Sequence, residues 1–290
     1  MLHNSVKSAE MTRKAFLLLL FVCHGSAEED NMWAHVDSGG VLYTSGHCEL
    51  NGTKGCWGHL KIFKRRDGAT NPFDGINVSW TDYYTFADLG DDGLADLVMS
   101  TVNGTIKYYE NSGSKTTPFH PAFTARNGAE NPFNGINGST PTFADLNDDG
   151  LIDLVVGVAN GTFQYYENIG SKTHPAWTAR TGADNPFNGI NVGPSCMHLH
   201  FCYTPAYTQK IVLTDLEDDG LVDFVVGQWS GAEGILHYQN TGSKTSPMFT
   251  ARTGEDNLFY GITGLPSLAD MDKDGDVDLV VTKTDIDVGT

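Results

Sequence analysis

Short apolar runs separated by turn residues alternate along most of the chain, and no stretch keeps the spacing of an amphipathic helix. In the middle, Thr142-Phe143-Ala144 leads into an acidic loop. Leu154-Val155-Val156-Gly157-Val158 is a continuous apolar run of the length of a buried strand. Asn160-Gly161 then gives a strong hairpin signal, and Thr162-Phe163-Gln164-Tyr165-Tyr166 follows as the partner strand. Ala176-Trp177-Thr178-Ala179 supplies a fourth. The pattern recurs: FADLGDDGLADLV from Phe86, FADLNDDGLIDLV from Phe143, LTDLEDDGLVDFV from Leu213 and LADMDKDGDVDLV from Leu268. A second block reads RDGATNPFDGI from Arg66, RNGAENPFNGI from Arg126, RTGADNPFNGI from Arg180 and RTGEDNLFYGI from Arg252. A third is YYENSGSK from Tyr108, YYENIGSK from Tyr165 and HYQNTGSK from His237. Four short strands per repeated unit predict an all-β fold, a β-propeller of about four to five blades. Each unit is too small to fold as an independent domain.

Charge narrows the partners. The 290 residues carry 36 acidic and 18 basic side chains, a net charge of -18. That balance argues against nucleic acid as a partner and against adsorption to anionic lipid. The 33 glycines suit a turn-rich β protein.

The N-terminus reads as a secretory signal. Arg13 and Lys14 precede the apolar run Ala15 to Cys23, and Gly25 and Ala27 are the small residues of a cleavage site after Ala27. The run is far shorter than the ~20 residues of a spanning helix, so residues 1–27 are expected to be removed and no membrane insertion is expected. A secreted chain with Cys48, Cys56, Cys196 and Cys202 left after cleavage predicts two local bridges, Cys48–Cys56 and Cys196–Cys202. Asn51, Asn77, Asn103, Asn137 and Asn160 begin Asn-x-Ser/Thr glycosylation sequons.

The acidic loops carry the clearest chemistry. Their first aspartates, Asp88, Asp145, Asp215 and Asp270, lie 57, 70 and 55 residues apart, and the four nonapeptides hold half of the chain's 36 acidic side chains. Such crowding is repulsive without a cation, and oxygen ligands at alternating positions select Ca²⁺. Positions 1, 3, 5 and 9, with the backbone carbonyl of position 7, give the expected ligands. These are Asp88, Asp92, Leu94 and Asp96; Asp145, Asn147, Asp149, Leu151 and Asp153; Asp215, Glu217, Asp219, Leu221 and Asp223; and Asp270, Asp272, Asp274, Asp276 and Asp278. Gly90 leaves the first loop one side-chain ligand short. Position 6 is glycine throughout, and position 12 is apolar (Met99, Val156, Val226, Val281), which excludes a helix–loop–helix calcium site. Up to four Ca²⁺ are expected.

These loops resemble the FG-GAP/VCBS repeat of integrin α-chain propellers and many secreted or surface proteins. The F-x-D-x-x-x-D-G-x-x-D-L pattern carries the likeness over roughly residues 60–290. The resemblance implies a β-propeller in which calcium ties a strand-connecting loop within each blade, and it leaves the ligand open. Residues 28–65 read as a hairpin segment and partial blade, and residues 66–290 as the repeats, with an insertion at about 193–209. The N-terminal hairpin either completes the last blade or the ring is left incomplete as a fragment of a longer propeller; the second is preferred.

In the insertion, Cys196, His198, His200 and Cys202 read as a disulfide loop ahead of a zinc site. The repeated tyrosines (Tyr108, Tyr109, Tyr165, Tyr166, Tyr238) read as packing before sugar stacking, and the Asn-Pro-Phe loops as inter-strand staples. No nucleophile elbow, metalloprotease helix or phosphate loop occurs, so no catalytic residue is expected. The expected function is a secreted calcium-binding module for a protein or glycan ligand. The alternatives are a propeller-based lyase, hydrolase or lectin. Mass spectrometry of the secreted protein is expected to show a chain beginning at Glu28 with both cysteine pairs oxidised; an intact leader or free thiols would contradict the respective assignment.

Overall fold

The computed structural model describes residues 71–79, 82–116, 121–193, 209–228, 234–270 and 277–282, with the backbone of four short strands nearer the N-terminus. Those four form two hairpins: β1 (Trp33–Val36) with β2 (Leu42–Ser45), and β3 (Glu49–Leu50) with β4 (Thr53–Lys54). The signal segment, the four cysteines, His198, His200, Asn51, Asp272, Asp274 and Asp276 lie outside the described residues.

Three antiparallel meanders follow. The first is β5 (Tyr83–Ala87), β6 (Asp96–Ser100), β7 (Ile106–Asn111) and β8 (Phe123–Arg126). The second is β9 (Ser139–Ala144), β10 (Asp153–Gly157), β11 (Phe163–Asn168) and β12 (Trp177–Arg180). The third is β13 (Gln209–Thr214), β14 (Asp223–Gln228), β15 (Ile235–Asn240) and β16 (Phe249–Arg252). A fourth unit begins with β17 (Leu265–Ala269) paired to β18 (Asp278–Thr282). The all-β expectation holds: the helical turns described are three-residue 3-10 turns before the Asn-Pro-Phe and Asn-Leu-Phe loops. No helix among the described residues is long and apolar enough to cross a membrane.

The sheets stand side by side, with β5 next to β9, β9 next to β13, and β13 next to β17. Among the described residues this is a run of three complete sheets and the start of a fourth; it does not itself show a closed ring. Side-by-side stacking explains the continuous apolar second strands. Val155 faces the third sheet, in a core with Phe187, Ile211, Phe224 and Val226. Leu154 and Val156 face the first, in a core with Val98, Ile106 and Phe133. The two-residue period of the strand thus feeds two cores at once, and both faces must be apolar. β6, β10 and the first five residues of β14 are buried throughout.

The Asn-Pro-Phe loops do what their sequence suggests. The Asn131 amide donates to the Ile106 carbonyl (2.9 Å), and its oxygen accepts from the Phe133 N–H (3.0 Å). Asn185 repeats this with Phe163 and Phe187, and Asn257 with Ile235 and Phe259. Each asparagine turns its phenylalanine into the gap before the next sheet. There Phe133 stacks on Trp177 (5.6 Å between centroids), Phe187 on Phe249 (4.9 Å) and Phe73 on Phe123 (5.0 Å). Between the first two sheets, Thr140 adopts φ 49° where the β9–β10 register shifts, and its N–H donates to Ser100 Oγ across the gap (3.2 Å).

Phe187 is 1 % exposed and touches four other aromatic rings. Phe187→Ala is expected to cost about 3–5 kcal/mol in urea denaturation, the range for a buried phenylalanine. Tyr260→Ala, 68 % exposed in the corresponding loop of the next unit, should change stability by no more than about 0.5 kcal/mol.

Candidate metal centres

Each acidic loop joins the first strand of a sheet to the second, and in the three loops described throughout the backbone closes on the loop's own first aspartate. In the second loop, Asp145 accepts N–H bonds from Asp149 (3.2 Å) and Gly150 (2.8 Å), and Asp149 accepts from Leu151 (2.8 Å). The first loop repeats these bonds with Asp88, Asp92, Gly93 and Leu94, and the third with Asp215, Asp219, Gly220 and Leu221. The turn makes two left-handed departures, two residues apart. Glycine at position 6 supplies one (Gly93, Gly150 and Gly220, φ 75–81°). Position 4 supplies the other: Asp91, Asp148 and Asp218 have φ of 48°, 57° and 55°. Aspartate is among the few non-glycine residues that visit this region readily, which gives the first aspartate of each of these D-D-G triplets a structural reason apart from its charge.

Position 9 is different in kind. Asp96, Asp153 and Asp223 are 3 %, 0 % and 1 % exposed. Asp153 accepts from the Leu146 N–H (3.1 Å), the Tyr165 hydroxyl (2.9 Å) and the Asn168 N–H (2.8 Å). Asp96 is held in the same way by Leu89, Tyr108 and Asn111. Asp223 keeps the two backbone donors, Leu216 and Asn240, but His237 stands where the tyrosine was. Burial pushes Asp153 and Asp223 up to about 6, against the pull of their donors, and raises Asp96 as well. Tyr108 and Tyr165 are raised too, first by burial and then by the carboxylate beside them.

The side-chain ligands expected in the first two loops are oxygens only, a hard set that fits Ca²⁺. Asp145 uses one lone pair on each oxygen for the loop N–H groups, which leaves the geometry open to a cation on the others. Asn147 is turned onto Asp149, which its amide reaches at 2.9 Å. Among the described residues, one set of three metal-binding side chains has ligand atoms all within 4.8 Å of one another: Glu217, Asp223 and His237. The carboxylates of the first two loops are not gathered in that way. In the fourth loop, Asp270 and Asp278 are described at its two ends, and the ligands between them are not.

The other expected residues divide. Tyr108 and Tyr165 pack against Phe133 and Phe187, as a packing role requires, and their hydroxyls also hold position 9. Asn77, Asn103, Asn137 and Asn160 are exposed. Asn103 and Asn160 sit in hairpin turns, where their side-chain oxygens accept from the N–H groups of Thr105 and Thr162 (both 3.1 Å).

Residues 88–156, which take in the first two acidic loops, match the family model described as FG-GAP-like repeat, so the chain carries an FG-GAP-like repeat there. That repeat marks a β-propeller-like module, in agreement with the side-by-side four-stranded sheets. No curated protein matches the chain.

Asp153→Asn would set an amide N–H against one of three inward-pointing donors. It is expected to cost about 1–3 kcal/mol even in the presence of a chelator, the range for a buried donor left unsatisfied. Asp148→Asn, exposed and tolerant of the same φ, should be close to neutral under the same conditions.

Proposed function

We propose that the protein is a secreted, calcium-stabilised β-propeller that serves as a binding or adhesion module for a protein or glycan partner. The observation that carries the calcium reading is the recurrence of one loop frame in three successive sheets. In each, backbone N–H groups fix the aspartates of positions 1 and 5 while leaving them lone pairs to spare. A frame kept through such changes at position 3 as Gly90, Asn147 and Glu217 serves the loop itself. Asp88 and Asp92 would hold Ca²⁺ in the first loop, with the Leu94 carbonyl, and Asp145, Asn147 and Asp149, with the Leu151 carbonyl, in the second. The buried Asp96 and Asp153 tie each loop to the sheet below. In the fourth loop, Asp270, Asp272, Asp274 and Asp278 supply the fullest carboxylate set. Bound calcium would offset the repulsion among these carboxylates and stiffen the strand connections of each blade.

Secretion is supported by the leader pattern at the N-terminus, the four cysteines left after its expected removal and the exposed sequons. The repeat number supports a propeller of about four to five blades. A binding role in place of catalysis is favoured because position 9, the most buried carboxylate of the first two loops, is committed to holding strands. A glycan array set against a cell-surface protein screen separates the two partner classes.

Chelation is expected to lower the melting temperature markedly. A site filled at a hundredfold excess over its Kd adds about 2.7 kcal/mol, a large share of the ~5–15 kcal/mol that holds a domain folded. Asp149→Ala should reduce the calcium-dependent part of the melt more than Asp92→Ala, because the first loop has no side chain at Gly90. A melt unmoved by chelator would remove the calcium reading.

A further inference from the structure

We propose that the third acidic loop is built for a transition-metal cation of the zinc class, held by His237 together with Asp223 and Glu217. The inference exchanges calcium for another ion at this one loop and does not depend on calcium in the others.

Internal comparison of the three sheets carries the argument. The first residue of the Tyr-Tyr-Glu-Asn segment is Tyr108 in the first sheet and Tyr165 in the second, and each donates its hydroxyl to the position-9 aspartate. In the third sheet that place is taken by His237, which is 1 % exposed. Neither ring nitrogen of His237 has a hydrogen-bond partner among the described residues. Buried polar atoms are normally satisfied, and an imidazole with two orphan nitrogens forfeits the bonds that water would give it. A neutral imidazole has one nitrogen with a free lone pair. Here that ring lies with Asp223 and Glu217 in a cluster whose ligand atoms are all within 4.8 Å of one another. Ligands around an ion bound at about 2.0–2.2 Å are no farther apart than this.

Two further changes in the same sheet accompany the histidine. Position 3 of the loop is Glu217, where the first two loops have Gly90 and Asn147, and its longer side chain reaches the cluster. The glutamates of the other sheets, Glu110 and Glu167, which pair with Arg126 and Arg180, are replaced by Gln239. Gln239 accepts from Arg252 and donates to Glu217 Oε2 at 2.9 Å. A glutamate there would repel Glu217; the glutamine orients it, the role that outer hydrogen bonds play around metal ligands. Asp223, without a tyrosine hydroxyl, has an acceptor site in hand. The donor set decides the ion: calcium takes oxygen, whereas imidazole with carboxylates suits zinc and its neighbours. Three protein ligands leave a fourth tetrahedral position for water or for a group from a partner.

The test uses chelator-stripped full-length protein titrated with Zn²⁺ alone, with bound metal counted by native mass spectrometry and Co²⁺ as an absorbing probe. One tight zinc per chain is expected, retained in millimolar Ca²⁺. His237→Tyr, which copies the other two sheets, should weaken zinc by on the order of a hundredfold, and the exposed Glu217→Gln by about tenfold. Both should leave the calcium-dependent part of the melt in place. That melt in His237→Tyr tests the calcium reading separately. The double variant His198→Ala, His200→Ala should still bind the zinc. Absence of stoichiometric zinc, or zinc that survives both His237→Tyr and Glu217→Gln, would overturn the proposal. So would zinc lost only in the double variant.

Discussion

Each complete sheet depends on one carboxylate that water does not reach. Asp96, Asp153 and Asp223 begin the second strands, and each receives N–H groups from two separate segments: the second residue of its own loop and the last residue of the third strand. Loop, second strand and third strand are thereby fixed at one point. Donors arrive at both carboxylate oxygens, and among side chains of this size only an aspartate accepts at both. An asparagine would present a donor to a donor. Burying the charge is costly, and the raised pKa of Asp153 expresses that cost. The geometry nevertheless requires it.

The asparagines solve the complementary problem. Asn111 and Asn168, both buried, donate to the carbonyls of Ala95 and Ile152 while their oxygens accept two N–H groups each. A group that must both give and take has to be an amide. The same reasoning separates Asn131, Asn185 and Asn257 from the aspartates of the loops. Asp and Asn look interchangeable in composition, yet here each occupies places the other cannot fill. Phenylalanines positioned by the second set of asparagines then fasten sheet to sheet, so local hydrogen bonding and long-range packing are one device.

Much of this was legible in the sequence. The apolar run Leu154–Val158 and the Asn160-Gly161 turn gave strand and hairpin, and the structure has β10 and β11 within a residue or two of that reading. The Asn-Pro-Phe loops were readable as staples because a turn former beside an aromatic has few other uses. Position 9 was harder. By spacing it is one more acidic residue, and only the fold brings the hydroxyl from twelve residues away onto Asp96 and Asp153. His237 was invisible for the same reason: its importance lies in the absence of a tyrosine hydroxyl, which becomes a deficit only once the aspartate beside it is known to be buried. The left-handed backbone of Asp91, Asp148 and Asp218 is a turn requirement that a count of carboxylates reads as charge.

The loops therefore have two layers of organisation with different physics. The frame is made of neutral N–H donors on carboxylate oxygens, short-range and directional, and it forms in the same way in three loops that differ at position 3. The remaining lone pairs and exposed carboxylates form a second layer, governed by like-charge repulsion in a chain with 36 acidic and 18 basic residues. In the first two loops the carboxylates of positions 1, 5 and 9 are not gathered into one close cluster. In the third, Glu217 and Asp223 do come together, with a neutral imidazole beside them and Gln239 donating to Glu217. The frame is thus set by hydrogen bonding, and the groups that face it differ from loop to loop. That separation lets one repeat keep its fold while its sites diverge.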